Sequence, residues 1–230
     1  MEAEIKYRHE LKYAISYSDY KAIKSRISKI MKTDSHTCED GTYRIRSIYF
    51  DNADDKALRE KEGGISKREK FRIRYYNDDL SFITLEKKMK INDLCMKLDS
   101  RISENECRKI LAGDIEWMKD HPENLVKELY AKMKYQQLKP RVLVSYLREP
   151  YIYAPGNVRV TFDLKIRTSL YSQNFLPGND LDISATDNPW DMLIEVKYDE
   201  YLPDIIRDLI QVKNVRQQSF SKYGACRRFG

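Results

Sequence analysis

The sequence predicts an α+β fold: eight strands in one large antiparallel sheet, closed into a β-barrel, with helices packed outside. Three observations predict it. Polar and apolar residues alternate over many separate short runs, and side chains along a strand point to opposite faces by turns. Segments with helical spacing and capping residues are interposed between these runs. Neither a repeat nor a shift in composition divides the 230 residues, so a single domain over 1–230 is expected.

The elements follow in chain order. A first strand is expected from about Ile5 to Ile15. Ser16 or Ser18 can cap a helix to about Met31, with Ala22, Ile23, Ile27, Ile30 and Met31 on one face. Thr42 to Asp51 reads as a strand and Asp54 to Lys61 as a short polar helix, broken by Gly63-Gly64. Strands follow at Lys67–Tyr76, Ser81–Lys90 and Asp93–Ile102, with turn chemistry at Asn77-Asp78-Asp79 and Asn92-Asp93. Ser103 and Glu106 have capping-box spacing for a helix to about Leu111, and Glu123 to Leu138 forms a second. Two long strands, Arg141–Tyr153 and Val158–Leu170, flank the turn Pro155-Gly156-Asn157. Residues 171–189 read as a loop, Trp190–Tyr198 as the eighth strand, and Pro203 opens a helix to about Val212.

Composition narrows the function classes. Forty-two Lys and Arg against 36 Asp and Glu leave a net charge of +6, so clustering matters more than total charge. The start of the chain, Met1-Glu2-Ala3-Glu4-Ile5-Lys6, is too polar for a secretory signal. No apolar stretch approaches the roughly 20 residues that span a bilayer. Cys38, Cys95, Cys107 and Cys226 lack zinc-site spacing and read as reduced thiols of a cytoplasmic protein. His9, His36 and His121 show no metal or nucleophile spacing, and Gly63-Gly64-Ile65-Ser66-Lys67 is no P-loop.

The charged positions carry the functional signal. Arg72 and Arg74 alternate with apolar residues in Phe71-Arg72-Ile73-Arg74-Tyr75-Tyr76, and Lys12, Lys88, Arg148 and Arg159 sit in similar runs. On any single strand this pattern ordinarily marks a solvated face. Gathered on one face, the cations repel: two charges about 7 Å apart along a strand cost roughly 2 kcal/mol at an effective dielectric of 20. Such a face must spread into water or receive anions, whereas Tyr13, Phe71, Tyr75 and Phe162 on alternate positions need burial. A barrel that is basic inside and apolar outside, beneath helices, meets both demands and removes the sheet edges. Its expected ligand is a polyanion with a metal ion.

Eight segments in order resemble one known family. They are Arg8-His9-Glu10-Leu11-Lys12-Tyr13, Arg46-Ser47-Ile48-Tyr49-Phe50-Asp51, Phe71-Arg72-Ile73-Arg74-Tyr75 and Leu85-Glu86-Lys87-Lys88, followed by four more. Those are Ser145-Tyr146-Leu147-Arg148-Glu149-Pro150, Val158-Arg159-Val160-Thr161-Phe162-Asp163, Leu193-Ile194-Glu195-Val196-Lys197-Tyr198 and Phe220-Ser221-Lys222-Tyr223. Together they resemble the VTC-type polyphosphate polymerases of the triphosphate tunnel metalloenzyme (CYTH-like) superfamily. The resemblance implies an eight-stranded tunnel that grips ATP, triphosphate or polyphosphate with Mn²⁺ or Mg²⁺. It also implies transfer of the γ-phosphoryl of ATP onto a growing polyphosphate chain. Carried over by motif, Lys12, Arg72, Arg74, Lys88, Tyr146, Arg148, Arg159, Ser221 and Lys222 are the expected phosphate-binding residues. Arg72, Arg74, Arg148, Arg159 and Lys222 are the expected catalytic set, and Glu195, helped by Glu10 and Glu86, the expected metal ligands.

Two departures refine the expectation. The wider superfamily opens with E-x-E-x-K, whereas Arg8 here replaces the first Glu and leaves Glu10 and Lys12, which favours transfer over hydrolysis. Ser219 stands where catalytic family members carry a Lys, two residues before Ser221. A tunnel triphosphatase and a non-catalytic polyphosphate-binding subunit are therefore the competing readings. Inward-facing charges argue against duplex nucleic acid as a partner. Any membrane association, at the inner face, would come through a partner protein.

Overall fold

A computed structural model of the chain describes residues 8–92, 94–169, 175–177, 183–185, 192–212 and 220–229. Parts of several expectations lie outside these residues: the start of the opening strand, Asp93 at the Asn92-Asp93 turn, Leu170 at the end of the seventh strand, most of the 171–189 loop, the start of the eighth strand at Trp190, and Ser219. The described strands are β1 (His9–Ile15), β2 (Lys32–Thr33), β3 (Tyr43–Asp51), β4 (Lys67–Tyr76), β5 (Asp79–Ile91) and β6 (Leu94–Ile102). They continue with β7 (Lys139–Tyr153), β8 (Val158–Ser169), β9 (Ile183–Ser184) and β10 (Met192–Tyr198). Six α-helices accompany them: α1 (Tyr17–Ile27), α2 (Lys56–Glu62), α3 (Glu104–Ala112), α4 (Asn124–Tyr135), α5 (Asp204–Ile210) and α6 (Lys222–Phe229).

All strands belong to one antiparallel sheet with the main order β1-β10-β8-β7-β3-β4-β5-β6; β2 pairs with β7 and β9 with β8. The expected closed barrel is corrected here: among the described residues the sheet is not closed. Its two edges, β1 and β6, meet through one bridge, Arg8 to Cys95. The register of that bridge leaves little described chain to extend it. Running forward from Arg8 along β1, the antiparallel partner passes the start of β6 at Leu94 almost at once. Running backward, it passes to residues before Arg8, outside the described set. The sheet nonetheless curls enough that Glu10 of β1 reaches Lys88 of β5 at 2.8 Å.

The two faces of the curl divide by period two. On the convex face, Phe71, Ile73, Tyr75, Ile83 and Leu85 pack with Cys107, Ile110, Val126 and Leu129 of α3 and α4. Ile23, Ile27, Ile206 and Ile210 of α1 and α5 cover Val160, Phe162, Ile194 and Val196. Both helix starts foreseen from capping residues form: Ser16, of the two serines expected to cap α1, does so in a box with Asp19, and Ser103 caps α3 with Glu106. A third cluster lies on the face shared with the charged residues, where Tyr223 and Cys226 of α6 meet Val142, Val144, Tyr146 and Ile166. Ile166 reaches that face because the β7–β8 register shifts between Ser145 and Leu147, opposite Lys165 in the left-handed region at φ 51°.

Asp51, at the end of β3, joins α2 and α6 to the sheet. Its carboxylate accepts hydrogen bonds from the Ala57 and Leu58 N–H groups at 2.9 and 3.2 Å, and from the Tyr223 hydroxyl at 2.5 Å. The Asn52 N–H donates to it as well, at 2.9 Å, and Asp51 is 2% exposed, so truncating it leaves four donors without their acceptor. Asp51→Ala is expected to lower the unfolding free energy by about 3 kcal/mol, read as a lower urea midpoint. A midpoint unchanged from the parent protein would show that the junction contributes nothing.

Candidate anion-binding cavity

The concave face encloses a cavity of about 620 Å³. Eleven Lys and Arg side chains line it against two carboxylates, Glu10 and Glu195. Strand geometry explains the crowding. From β4 alone, Arg68, Lys70, Arg72 and Arg74 enter at every second position. Lys88 and Lys90 enter from β5, Lys12 from β1, Arg148 from β7 and Lys197 from β10. Ser221, Lys222 and Tyr223 arrive at the start of α6.

Buried carboxylates hold the inner cations in place. Arg72 donates through Nε to Glu86 at 2.7 Å and through Nη1 to the Tyr49 hydroxyl at 2.7 Å. Arg74 donates through Nε to Ser47 Oγ at 2.9 Å, and its Nη1 lies 3.8 Å from Glu86. Burial alone would raise the Glu86 carboxyl, but Arg72 and Arg74 outweigh it and hold the group well below the usual carboxylate range. Arg148 forks onto Asp163 through Nε and Nη2 at 2.7 and 2.9 Å, a bidentate pair, and Lys222 Nζ closes on the same carboxylate. Asp163 has no exposed surface, and against the cost of burial Arg148 and Lys222 keep it ionised. The Tyr146 ring lies beneath both cations, 5.3 Å from the Arg148 guanidinium and 4.8 Å from Lys222 Nζ.

Of the residues singled out in the sequence, Lys12, Arg72, Arg74, Lys88, Tyr146, Arg148, Ser221 and Lys222 come together on the cavity wall with Glu10 and Glu195. Two do not line it. Arg159 lies further along the inward face of β8, where Nη2 meets Asp34 at 2.7 Å and the Tyr43 hydroxyl at 2.9 Å. Glu86 lies behind Arg72, 2% exposed, and also faces Lys97 at 3.5 Å. Sequence reasoning passed over Asp163, Arg68, Lys70 and Lys90. The signal was present, since Arg68 and Lys70 continue the period of Arg72 and Arg74 backward, and Lys90 continues that of Lys88.

Glu10 and Glu195 are the carboxyls that could hold a divalent ion. Their side chains are within hydrogen-bonding reach of one another, and Lys88, Lys12 and Lys197 surround them. Burial works against ionisation of Glu195, but Lys197 and Lys12 hold it well below the ordinary carboxylate value. Two carboxyls in contact require a proton or a cation between them, so this donor set fits a hard ion. No cluster of three or more His, Cys, Asp or Glu forms among the described residues. The remaining positions of such an ion would fall to phosphate oxygens and water, as is usual for Mg²⁺.

The VTC domain family model matches residues 7–229. No curated protein matches the chain. A proposed adenylate cyclase from Bacillus halodurans shares the fold at a TM-score of 0.52 and 18% identity, covering 85% of this chain and 82% of that one. A protein from Pyrococcus horikoshii aligns over 89% of this chain and 84% of its own at 14% identity and a TM-score of 0.43.

Lys70 differs from the inner cations. Among the described residues it meets no carboxylate within ion-pair distance, and its Nζ lies 4.7 Å above the Tyr223 ring. Burial, then the neighbouring Arg68 and Lys61, push its ammonium down to about 7, with Asp51 only partly opposing. A lysine whose folded value lies below its ordinary 10.5 disfavours the folded state at every pH under 10.5, most fully at and below 7. Lys70→Met is therefore expected to stabilise the ligand-free protein by about 1 kcal/mol at pH 7, with the gain shrinking as pH approaches 10. Thermal melts across that pH range would test it; a lowered Tm at pH 7 contradicts the assignment.

Proposed function

The chain belongs to the VTC domain family, and from that premise we propose that it is a metal-dependent polyphosphate polymerase. The reaction moves the γ-phosphoryl of ATP onto the terminal oxygen of a polyphosphate chain. A bond forms between that oxygen and the γ-phosphorus, the bond to the β,γ-bridging oxygen breaks, and ADP leaves. The single observation that carries this reading is the cavity: eleven cations, nine from five strands and two from helices α2 and α6, face one enclosed space with two carboxylates among them.

The residues divide the work by geometry. Arg72, Arg74 and Arg148 present guanidinium forks fixed from behind by Glu86, Ser47 and Asp163, so they are oriented before the phosphates arrive. Lys12, Lys88 and Lys222 supply point charges, and Tyr146 and Ser221 supply hydroxyl donors. Glu195 with Glu10 would hold Mn²⁺ or Mg²⁺, which when bound neutralises phosphate charge and fixes the chain's orientation. In this reading Glu86 and Arg159 support neighbours rather than touch phosphate. A terminal phosphate acceptor is already ionised at neutral pH, so transfer needs no general base. The proposal includes a cytoplasmic site of action, supported by four cysteines that form no disulfide among the described residues, and attachment at the inner face of a membrane only through a partner. No helix among the described residues is long and apolar enough to cross a membrane.

A tunnel triphosphatase is the second reading, favoured by the Glu10–Glu195 pair, which could orient a water molecule. Incubation of purified protein with ATP and Mn²⁺, followed by product sizing on a gel, separates the readings. Lengthening polyphosphate with ADP is the expected outcome. Orthophosphate alone would favour hydrolysis, and binding without turnover would favour a non-catalytic subunit. Arg72→Ala is expected to weaken triphosphate binding about 100-fold, the loss of one or two charge-assisted hydrogen bonds. Glu195→Gln should abolish metal-dependent turnover while leaving the far-ultraviolet circular dichroism unchanged; full activity in that variant would return Glu195 to a structural role.

A further inference from the structure

Lys70 stands apart from the cavity lysines that pair with carboxylates. Lys12 and Lys88 meet Glu10 at 3.4 and 2.8 Å, Lys197 meets Glu195 at 2.5 Å, and Lys222 meets Asp163. Lys61 and Lys90 complete the wall's lysines, each with an interaction partner of its own. Lys70 Nζ instead lies over the Tyr223 ring, whose face holds an ammonium less firmly than a carboxylate does. The Asp51 carboxylate, turned to α2 and to the Tyr223 hydroxyl, acts on Lys70 only from beyond ion-pair range. Arg68 and Arg72 flank Lys70 on the same face of β4, each about 7 Å away along the strand.

We propose that Lys70 is a covalent capture site for phosphorylated aldehydes, its amine closing on the carbonyl carbon while a neighbouring arginine holds the phosphate. The inference rests on the phosphate-binding reading of the cavity and adds a reaction that is not phosphoryl transfer. The Lys70 nitrogen forms a bond to the carbonyl carbon, the carbonyl oxygen leaves as water with both amine hydrogens, and an imine remains. No oxidant or reductant takes part. Condensation needs a neutral amine, and a lysine set among other cations supplies one. Burial, then Arg68 and Lys61, push the Lys70 ammonium down to about 7, so about half of it is neutral at pH 7. For an ordinary lysine the neutral share there is below about one in a thousand. Arg68 gives one N–H to the Ile65 carbonyl at 2.5 Å and, among the described residues, keeps its other donors for an anion. A small phosphorylated aldehyde separates its carbonyl carbon from its phosphate by a span comparable to one same-face step of β4. An aldehyde without phosphate lacks that anchor, and a lysine paired with a carboxylate lacks the lone pair. Capture also removes one cation from the group formed by Arg68, Lys61 and Lys12 and brings an anion among them. The adduct fills the cavity, so it competes with triphosphate and blocks transfer reversibly.

Pyridoxal phosphate is the probe, with phosphate-free pyridoxal as its control. The protein is incubated with each at neutral pH, reduced with borohydride and mapped by peptide mass spectrometry. Label is expected at Lys70, formed at least about tenfold faster than with pyridoxal because the phosphate is anchored. Tripolyphosphate at about ten times its dissociation constant should slow that labelling about tenfold. Lys70→Arg is expected to lose the fast phase of imine absorbance, and Lys70→Met serves for the same readout should the first lose its cooperative melt. Label concentrated on another wall lysine, equal rates for the two aldehydes, or a fast phase that survives both variants would each overturn the inference. Isothermal titration with tripolyphosphate keeps the premise separate. Binding intact with Lys70 unlabelled overturns the capture site alone, whereas no binding removes the phosphate-binding reading along with it.

Discussion

Pairing of buried charge across the concave face is the interaction on which the remainder of the structure depends. Arg72 and Arg74 are neighbours on one face of β4, and without a counter-ion their repulsion would consume a large part of a domain's marginal stability. Glu86 stands beside them on the same concave face, as Asp163 does for Arg148 and Lys222 and Glu195 for Lys197. All three carboxyls are depressed, so the stability they contribute is present above the ordinary carboxylate range and is lost as pH falls through it. Removing one partner of such a pair is far more damaging than the net worth of the pair, because the other charge is left buried. The carboxylates are thus structural first, and they fix the guanidinium planes that phosphate would meet.

The apolar half of the architecture follows from the same alternation. Every strand that sends a cation inward sends Phe, Tyr, Ile or Val outward, and these residues need cover. Helices α3 and α4 cover one part of the convex face, and α1 and α5 another. Helices α2 and α6 are the exceptions: both pack on the concave face, α2 bringing Lys61 to the cavity and α6, with the residue before it, bringing Ser221, Lys222 and Tyr223. The bulge at Lys165 turns Ile166 and Thr168 toward α6, and the Thr168 hydroxyl donates to the Cys226 carbonyl at 3.4 Å. Asp51 then binds Tyr223 from the other side. A local backbone irregularity and one buried carboxylate therefore set where Lys222 stands.

Period-two alternation and capping residues were legible in the chain because both are local. They placed the eight main strands, the starts of α1 and α3, and the wall cations Lys12, Arg72, Arg74, Lys88 and Arg148, whereas Glu10, Tyr146, Glu195, Ser221 and Lys222 were assigned to the site through the family resemblance. What escaped was non-local or brief. Helix α6 has only eight residues with Gly224 among them, too short for a helical pattern to stand out. Asp163 sat in a run already noted, yet its role depends on Arg148 and Lys222 arriving from β7 and α6. Arg159 shares the inward face of β8, but Asp34, from the segment between β2 and β3, reaches it. Closure could not be read at all. It depends on the register between β1 and β6, strands about 85 positions apart in sequence, and alternation says nothing of where an edge strand ends.

Arg8 shows how one replacement changes the charge balance without adding to the cavity. It stands where the wider superfamily pattern has a Glu, but its Nε pairs with Asp199 at 2.9 Å and its Nη2 donates to the Asn157 carbonyl at 2.5 Å. The guanidinium is therefore engaged at the β8–β10 end of the sheet and is absent from the cavity wall. The consequence for the interior is one carboxylate fewer, not one cation more. With Glu10 alone on β1, Lys12 and Lys88 both pair with that one carboxylate, Glu195 acting on them from further off, and Lys88 is pushed down by burial and by Lys12. A site with this deficit of negative charge is stabilised by anionic oxygens and gains little from an added water nucleophile, whose activation needs spare carboxylate basicity. On the proposed reading, the same deficit favours holding two phosphate-bearing reactants together, and the substitution at Arg8 supplies it by subtraction.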